Sequence, residues 1–599
     1  MRLPREGVLR WEVGLVAAIV AVGLLLRVWN LDQNLPFVYN IDESARFVPD
    51  AASYFDTRLG FRELVNPPGM MGLLALLDQA WFRPQGLSPA EGLAQHPTQA
   101  YLLGRLMAVT LSTAAIPVLY LAGRQLLGRV AAMVAAGLLA VAFLPVAYSR
   151  LALSDGPTVL FLALGILGAA WILRDGGRRG YLTVGLAVGL AAGFKYNAGI
   201  VVLVGLAAAA LRLSADGRGP VLRSTVLMGA VALAAFVVAD PYVLLDPHEM
   251  WRAIEYQQRW ASGGRYVGEP MTNGFAFYAW SATWGVGWLP LVAAVVGAAL
   301  LVRRRWRVAA LLLPMVALYL LVMGGQDRFF ARWLLPVVPV MCLTAGFAVQ
   351  EAARVATALL RDRPRIRPRL ATALVAAVLG LALAAQSLVH SGNAVAISGR
   401  ADTRTVLRDW MLRNVPARDG VVLESMSPLR WMPTIDGRHE WYSLTRWSIY
   451  HSLPAIQRRD RKRYPRQTRT KAGFSSWVQI LYPELLDVFE RYGYCWVVTS
   501  SYQAGRAART PKLVPSAVRY YRELRRRGTL VWQINPFRPQ GERRPYGPLS
   551  APVKYQIDRQ ATSYELDYER PGPMISVYRL RGGRCAAPGR VVPTPPPLP

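Results

Sequence analysis

Residues 13–43 read VGLVAAIVAVGLLLRVWNLDQNLPFVYNIDE: an apolar run through Val28, a short aromatic linker, then two adjacent carboxylates, Asp42 and Glu43. The run predicts a first membrane span, because a spanning helix needs roughly 20 apolar residues to cross the hydrocarbon core. An ionised acid close to hydrocarbon costs several kcal/mol unless it faces a protein cavity or a partner, so the acidic pair is a candidate working site. Its plainer reading is an interfacial helix cap.

Working outward, apolar runs recur at 101–123, 130–148, 154–173, 181–193, 197–211, 222–239, 284–302, 308–323, 333–351 and 370–390, which with the first makes eleven predicted spans. The chain is 53% hydrophobic yet carries a formal net charge of +32, with mean hydropathy +0.24. A membrane protein reconciles the two, since basic residues collect in cytoplasmic loops. Placing the N-terminus inside puts Arg124 and Arg129, then Arg174, Arg178 and Arg179, Arg212, Arg218 and Arg223, Arg303 to Arg305 with Arg307, and Arg361 to Arg369 in inside loops. Short outside loops hold only Arg150, Lys195, Arg328 and Arg332. This parity predicts a multi-pass plasma-membrane protein with an extracytoplasmic C-terminal region. The basic residues punctuate apolar runs and form no single stripe, which argues against nucleic-acid binding. The basic start (Arg2, Arg5, Arg10) leads into no small-residue cleavage site, so the first run reads as a retained anchor.

Residues 181–211 hold the delicate step. As one helix they would run about 46 Å against a core of about 30 Å, with both flanks basic. Two short helices meeting at GFKYN (193–197) keep both flanks inside and place Lys195 in a protein-lined cavity below the outer surface. The long loops 29–100 and 240–283 suit interfacial helices.

After His390 the composition turns soluble. Residues 402–414 predict an amphipathic helix with Asp402 as N-cap. GVVLES (420–425), YCWVVTSS (494–501) and GTLVWQIN (528–535) read as strands, and PELLDVFERYG and SAVRYYRELRRRG as helices, which argues an α/β domain. The expected organisation is a transmembrane domain over 1–391, an α/β domain over 392–585 and a Pro-rich tail over 586–599. RRDRKRYPRQTRTK (458–471) reads either as a solvated loop or as a contact for anionic headgroups. The three cysteines make no metal spacing. Cys342 reads as packing, while Cys495 and Cys585 allow one bridge if the domain is extracytoplasmic.

Ionisable residues that break the apolar logic gather on the predicted outer side: Asp42, Glu43, Arg150, Asp155, Lys195, Asp240, Asp327, Arg328 and Arg332. Cations suit a phosphate leaving group, and a carboxylate suits the proton of an attacking hydroxyl. Each also has a plainer reading. Ser154 to Pro157 makes a good helix start with Arg150 as a salt-bridge partner of Asp155; Lys195 could snorkel; Arg328 and Arg332, four apart, would anchor one helical face at the interface if the helix begins early.

The order IDES, NPPGMMGLLALL, YSRLALSDGP, GFKYNAG and RFFARWLLPVVPVMCLTAG resembles the integral-membrane GT-C glycosyltransferases of family 39, the group of protein O-mannosyltransferases and lipid A aminoarabinose transferases. ADTRTVLRDWMLRNVPARDGVVLES followed by YCWVVTSSYQ resembles the soluble tail of their bacterial relatives. The resemblance implies a transferase of hexosyl or pentosyl units from a polyprenyl-phosphate donor to a lipid, glycan or protein acceptor of the cell envelope. It implies that Asp42, with Glu43 beside it, is the base or binds the donor phosphate region, and that Asp155 is the second acidic position. Lys195, Arg328, Arg332 and Arg150 are then candidate donor-phosphate ligands. Where the family often has His-Pro-Pro, this chain has Asn66-Pro67-Pro68; Asn takes no proton, and whether a divalent metal is needed stays open. The rival reading is a transporter or flippase of lipid-linked sugars, which should show paired broken helices in both halves; only 181–211 is broken. A third, a membrane-anchored binding or scaffold protein, leaves the acidic pair unexplained.

Overall fold

The computed structural model describes residues 10–55, 65–264, 267–268, 271, 273–359, 368–416, 419–424, 481–537, 564 and 566–586. The basic run 458–471, Arg361 to Arg367 and the Pro-rich end beyond Ala586 lie outside the described residues. The chain divides into two compact units: residues 1–32, 45–258 and 273–395 form the first, and 33–44, 259–272 and 396–599 the second.

The first unit is helical. Its main elements are α1 (Arg10–Val28), α2 (Gly69–Phe82), α3 (Pro97–Leu126), α4 (Arg129–Val141), α5 (Phe143–Ser149), α6 (Thr158–Asp175), α7 (Arg178–Phe194), α8 (Val202–Asp216), α9 (Arg218–Ala239), α10 (Gly274–Ala282), α11 (Trp288–Arg304), α12 (Trp306–Gly324), α13 (Val338–Leu359) and α14 (Pro368–Ser398). Each of the eleven apolar runs is helical. Among the described residues nine helices are long and apolar enough to cross a membrane, ten if α4 and α5, bent by 52° at Ala142, count as one span. This is roughly the expected eleven; α7, at 17 residues, extends only about 26 Å and is not among the ten.

Packing sorts the spans. The segment Ala331–Leu359, ending in α13, has 89% of its most apolar window buried, whereas α9 has 17%. Val226, Leu233 and Val238 on α9 are exposed, the composition of a lipid-facing surface. Helix α13 packs on α4 and α11, and α3 packs on α4 and α6. Small residues permit this: a Cβ on Gly346 would overlap the Ala131 carbonyl, and one on Gly123 would meet Ala132. Close backbone approach between small residues is how helices associate where lipid supplies no hydrophobic drive. Glu12 of α1 is fully buried but carries its charge against Arg129 at 2.5 Å and Arg124 at 3.4 Å, with the Tyr120 hydroxyl donating at 3.1 Å. A buried carboxylate with that many partners is tolerable; a lone one is not.

The second unit is a mixed α/β fold. Strands β1 (Val421–Leu423), β2 (Trp496–Ser500), β3 (Gly528–Ile534) and β4 (Ile575–Leu580) form one sheet in the order β1-β2-β4-β3, parallel between β1 and β2 and antiparallel elsewhere. Helices α15 (Thr403–Asn414), α16 (Leu485–Tyr492), α17 (Ser501–Arg509) and α18 (Pro515–Arg527) accompany it. Asp402 caps α15, its carboxylate accepting from the Arg404 amide at 2.9 Å. Gly493 ends α16 in the left-handed region at φ 82°, where a Cβ is disfavoured. The three anticipated strands are present; β4 and α17 were not anticipated. Cys495 and Cys585 are disulfide-bonded, and Cys342 is buried and free.

Candidate functional site

In the first unit the site is built around the break between α7 and α8. Helix α7 stops at Phe194, Lys195 is extended (φ −158°, ψ 113°), and a 3-10 turn Tyr196–Val201 leads into α8. Both halves were expected to be too short to span; the second, Tyr196–Asp216, has 21 residues and is long enough. Three backbones converge just before the break. A Cβ on Gly69 would meet the Gly193 carbonyl oxygen, and one on Gly193 would overlap the Ala239 Cβ. This close approach holds Tyr196 next to Asp240, the residue that follows α9.

Asp155, in the turn before α6, forms an ion pair with the Lys195 ammonium. The Arg332 Nε lies 3.9 Å from the same carboxylate oxygen, and its guanidinium sits 4.7 Å above the Phe330 ring. All three side chains are mostly buried. Two cations thus approach one carboxylate in a partly desolvated setting, where charges interact more strongly than in water. Asn197 donates to the Tyr319 hydroxyl at 3.1 Å, and that hydroxyl donates to the Trp333 carbonyl at 2.7 Å, tying α12 to the segment that carries Arg332. Tyr196 donates to Asp240 at 3.2 Å. Burial pushes the Asp240 carboxyl up to about 6, against the lowering effect of the Tyr196 hydroxyl and the Tyr242 amide. Burial, and after it the Asp240 charge, raise the Tyr54 phenol.

Of the other sequence candidates, Arg150 is buried and donates to the carbonyls of Leu26, Trp29 and Asn30 at 3.0, 2.6 and 3.0 Å. It satisfies acceptors at the C-terminal end of α1, which the helix itself leaves open. Arg328 is also buried, but the helical turn begins only at Ala331 and Phe330 is extended. The anticipated shared helical face of Arg328 and Arg332 is therefore absent.

In the second unit lies the acidic pair. Asn40 accepts from the amides of Asp42 and Glu43 at 3.1 Å each, an Asx cap that starts the helical turn. Asp42 is partly exposed and Glu43 fully buried. Among the described residues no group of three or more His, Cys, Asp or Glu side chains is placed to hold a metal.

Sequence reasoning missed Tyr196, Asn197 and Tyr319 as neighbours of this cluster. Tyr196 and Asn197 were visible as polar members of the GFKYN break. Tyr319 lies inside an apolar run and gave no signal.

Residues 98–244, from α3 to just past α9, match the family model described as dolichyl-phosphate-mannose-protein mannosyltransferase. No curated protein matches the sequence. Among solved structures, the apo oligosaccharyltransferase of Archaeoglobus fulgidus is similar at TM-score 0.50 and 14% identity, over 87% of this chain and 73% of that one. ArnT from Cupriavidus metallidurans, bound to undecaprenyl phosphate, aligns at TM-score 0.43 and 15% identity, over 72% of this chain and 86% of that one. The chain is thus a polytopic membrane protein of GT-C fold, similar to glycosyltransferase family 39.

Proposed function

We propose that this protein transfers a sugar from a polyprenyl-phosphate donor to an acceptor hydroxyl at the outer face of a bacterial plasma membrane. The observation that carries this reading is the Asp155, Lys195 and Arg332 cluster at the break between α7 and α8. Lys195 and Arg332 both approach the Asp155 carboxylate, and two cations side by side suit the anionic oxygens of a polyprenyl phosphodiester. As the anomeric carbon–oxygen bond breaks, further negative charge develops on the departing phosphate, so cations placed there stabilise the transition state more than the bound donor. Lys195 and Arg332 hold the phosphate, and Asp155 fixes both cations. Arg328, buried four residues upstream, is the remaining cationic candidate on this segment.

The acceptor oxygen attacks the anomeric carbon opposite the phosphate, Asp42 takes the hydroxyl proton, and polyprenyl phosphate leaves, giving inversion in one displacement. Asp42 is the better base of the pair because it is partly exposed while Glu43 is buried. The Cys495–Cys585 bridge supports an oxidising, extracytoplasmic setting for the second unit, since disulfides persist there and seldom in the cytosol.

The test is loss and restoration of an envelope glycan, followed by mass spectrometry after gene deletion and complementation. Asp42→Asn keeps shape and removes the base, so transfer should fall by about two to four orders of magnitude while the purified protein still binds polyprenyl phosphate. Glu43→Gln should cost less. Abolition by Glu43→Gln with Asp42→Asn near normal would move the base to Glu43. Normal transfer in both would overturn the mechanism in favour of a flippase of lipid-linked sugars.

A further inference from the structure

Within the second unit, the short segment 33–44 is fastened to the C-terminal domain by the two aromatic residues that precede the acidic pair. The Arg404 guanidinium lies 3.7 Å over the Tyr39 ring. Tyr39 and Thr405 share a hydroxyl–hydroxyl hydrogen bond of 2.9 Å. Arg408 sits 4.9 Å over Phe37, and both aromatic rings pack on the domain's hydrophobic core. Arg404 is itself locked: it is buried and pairs with Asp402 at 2.7 Å. One residue after Tyr39, the Asn40 side chain caps the amides of Asp42 and Glu43. Between the clamp on Tyr39 and the carboxylate of Asp42 there is no slack to absorb movement, because the intervening chain is two residues long and already hydrogen-bonded.

We propose that Tyr39 is a positioning residue for the acidic pair, through which the C-terminal domain, by Arg404 and Thr405, sets where the Asp42 carboxylate is presented. The proposal rests on the reading of Asp42 as the base. It gives the domain a task in the transfer step beyond any contact with acceptor. A base must meet the acceptor proton at hydrogen-bonding distance, and a misplacement of about 1 Å is enough to cost on the order of a hundredfold.

The experiment uses the full-length protein in membranes of the deletion strain and measures the initial rate at which the lost glycan reappears. Tyr39→Ala removes the ring beneath Arg404 and should lower the rate about ten- to a hundredfold. Tyr39→Phe keeps the ring and removes only the hydroxyl, and Thr405→Val removes the other half of that hydrogen bond; each should lose much less. The deciding measurement is coupling to the carboxylate. On an Asp42→Glu background, where the base is already displaced, Tyr39→Ala should cost less than about threefold more, because groups acting through one another are not additive. Full multiplication of the two losses, or a Tyr39→Ala rate within about twofold of normal, would overturn the proposal. Protection of the Trp496–Ser500 amides against hydrogen exchange reports whether the domain is still folded in Tyr39→Ala. Where it is not, Tyr39→Phe and Thr405→Val decide: a loss that vanishes on Asp42→Glu upholds the proposal, and no loss overturns it. The underlying reading fails separately, through normal transfer by both Asp42→Asn and Glu43→Gln.

Discussion

Lys195 is the residue on which the proposed donor site turns. Its ammonium pairs with Asp155, which the Arg332 guanidinium also approaches. Lys195→Met keeps the aliphatic stem and removes the charge. Losing a charge-assisted contact of about 1.5–3 kcal/mol should weaken donor use roughly ten- to a hundredfold. It also strips Asp155 of a partner, so the Asp155→Asn/Lys195→Met double variant should regain thermal stability without regaining donor use. Recovery of both would reduce Lys195 to a structural counter-ion. A second residue-scale case is Glu424, at the end of β1, which accepts from the Tyr521 hydroxyl at 2.6 Å and the Ser500 amide at 2.7 Å. Burial nonetheless raises its carboxyl from 4.5 to about 8. The folded state holds this proton where the unfolded state has released it, so the stabilisation is full below the unfolded value and lost as pH rises towards the folded one. Hydrogen-exchange protection of the Trp496–Ser500 amides in the full protein should therefore fall between about pH 5 and 8, by at most about 1.4 kcal/mol per pH unit. Glu424→Gln should flatten that slope; an unchanged slope would remove Glu424 as its source.

At the scale of elements, glycines decide which helices meet. Helices α11 and α13 touch where a Cβ on Gly297 would overlap the Thr344 carbonyl. Gly297→Ala should force the pair apart and cost about 1–3 kcal/mol, read as a lower melting temperature in detergent. Gly137 in α4 has nothing within 4 Å of its ideal Cβ, so Gly137→Ala should be neutral or stabilising by up to about 1 kcal/mol. Equal melting temperatures for the two variants would mean that α11 and α13 are not held at this contact. The break between α7 and α8 was legible in advance because length, basic flanks and the polar GFKYN group all contradicted a single span. The N-cap at Asp402 and the stop at Gly493 were legible for the same kind of reason, since caps are local in sequence. Strand β4 also left a trace, ISVYRL (575–580), rich in β-branched and aromatic residues. Its alternation was masked because both faces of a central strand are buried.

For the whole molecule, the basic-loop parity predicts a cytoplasmic N-terminus and an extracytoplasmic C-terminal unit. A reporter active only in the cytoplasm should give signal when fused after Leu360 and none after Arg400; signal from both would break this orientation. In the intact protein Cys495 and Cys585 should resist thiol alkylation until reduced. Opening a bridge that closes a separation of 90 residues should cost the domain up to about 4–5 kcal/mol, the chain-entropy value for a loop of that size.

The sequence by itself determined what depends on neighbours a few residues away: the apolar runs, the interruption at Lys195, the capped helix 403–414 and three of the four described strands. Tertiary structure alone decided what depends on residues far apart. It paired Asp155 with Lys195 across 40 positions and Asn197 with Tyr319 across 122. It fastened Tyr39 to Thr405 across 366, drawing residues 33–44 into the C-terminal unit. It brought Arg150 to the open carbonyls at the end of α1. Periodicity and capping are written in local spacing, whereas the partner of a buried charge is set by which backbones can approach closely, and that is settled only when the helices pack.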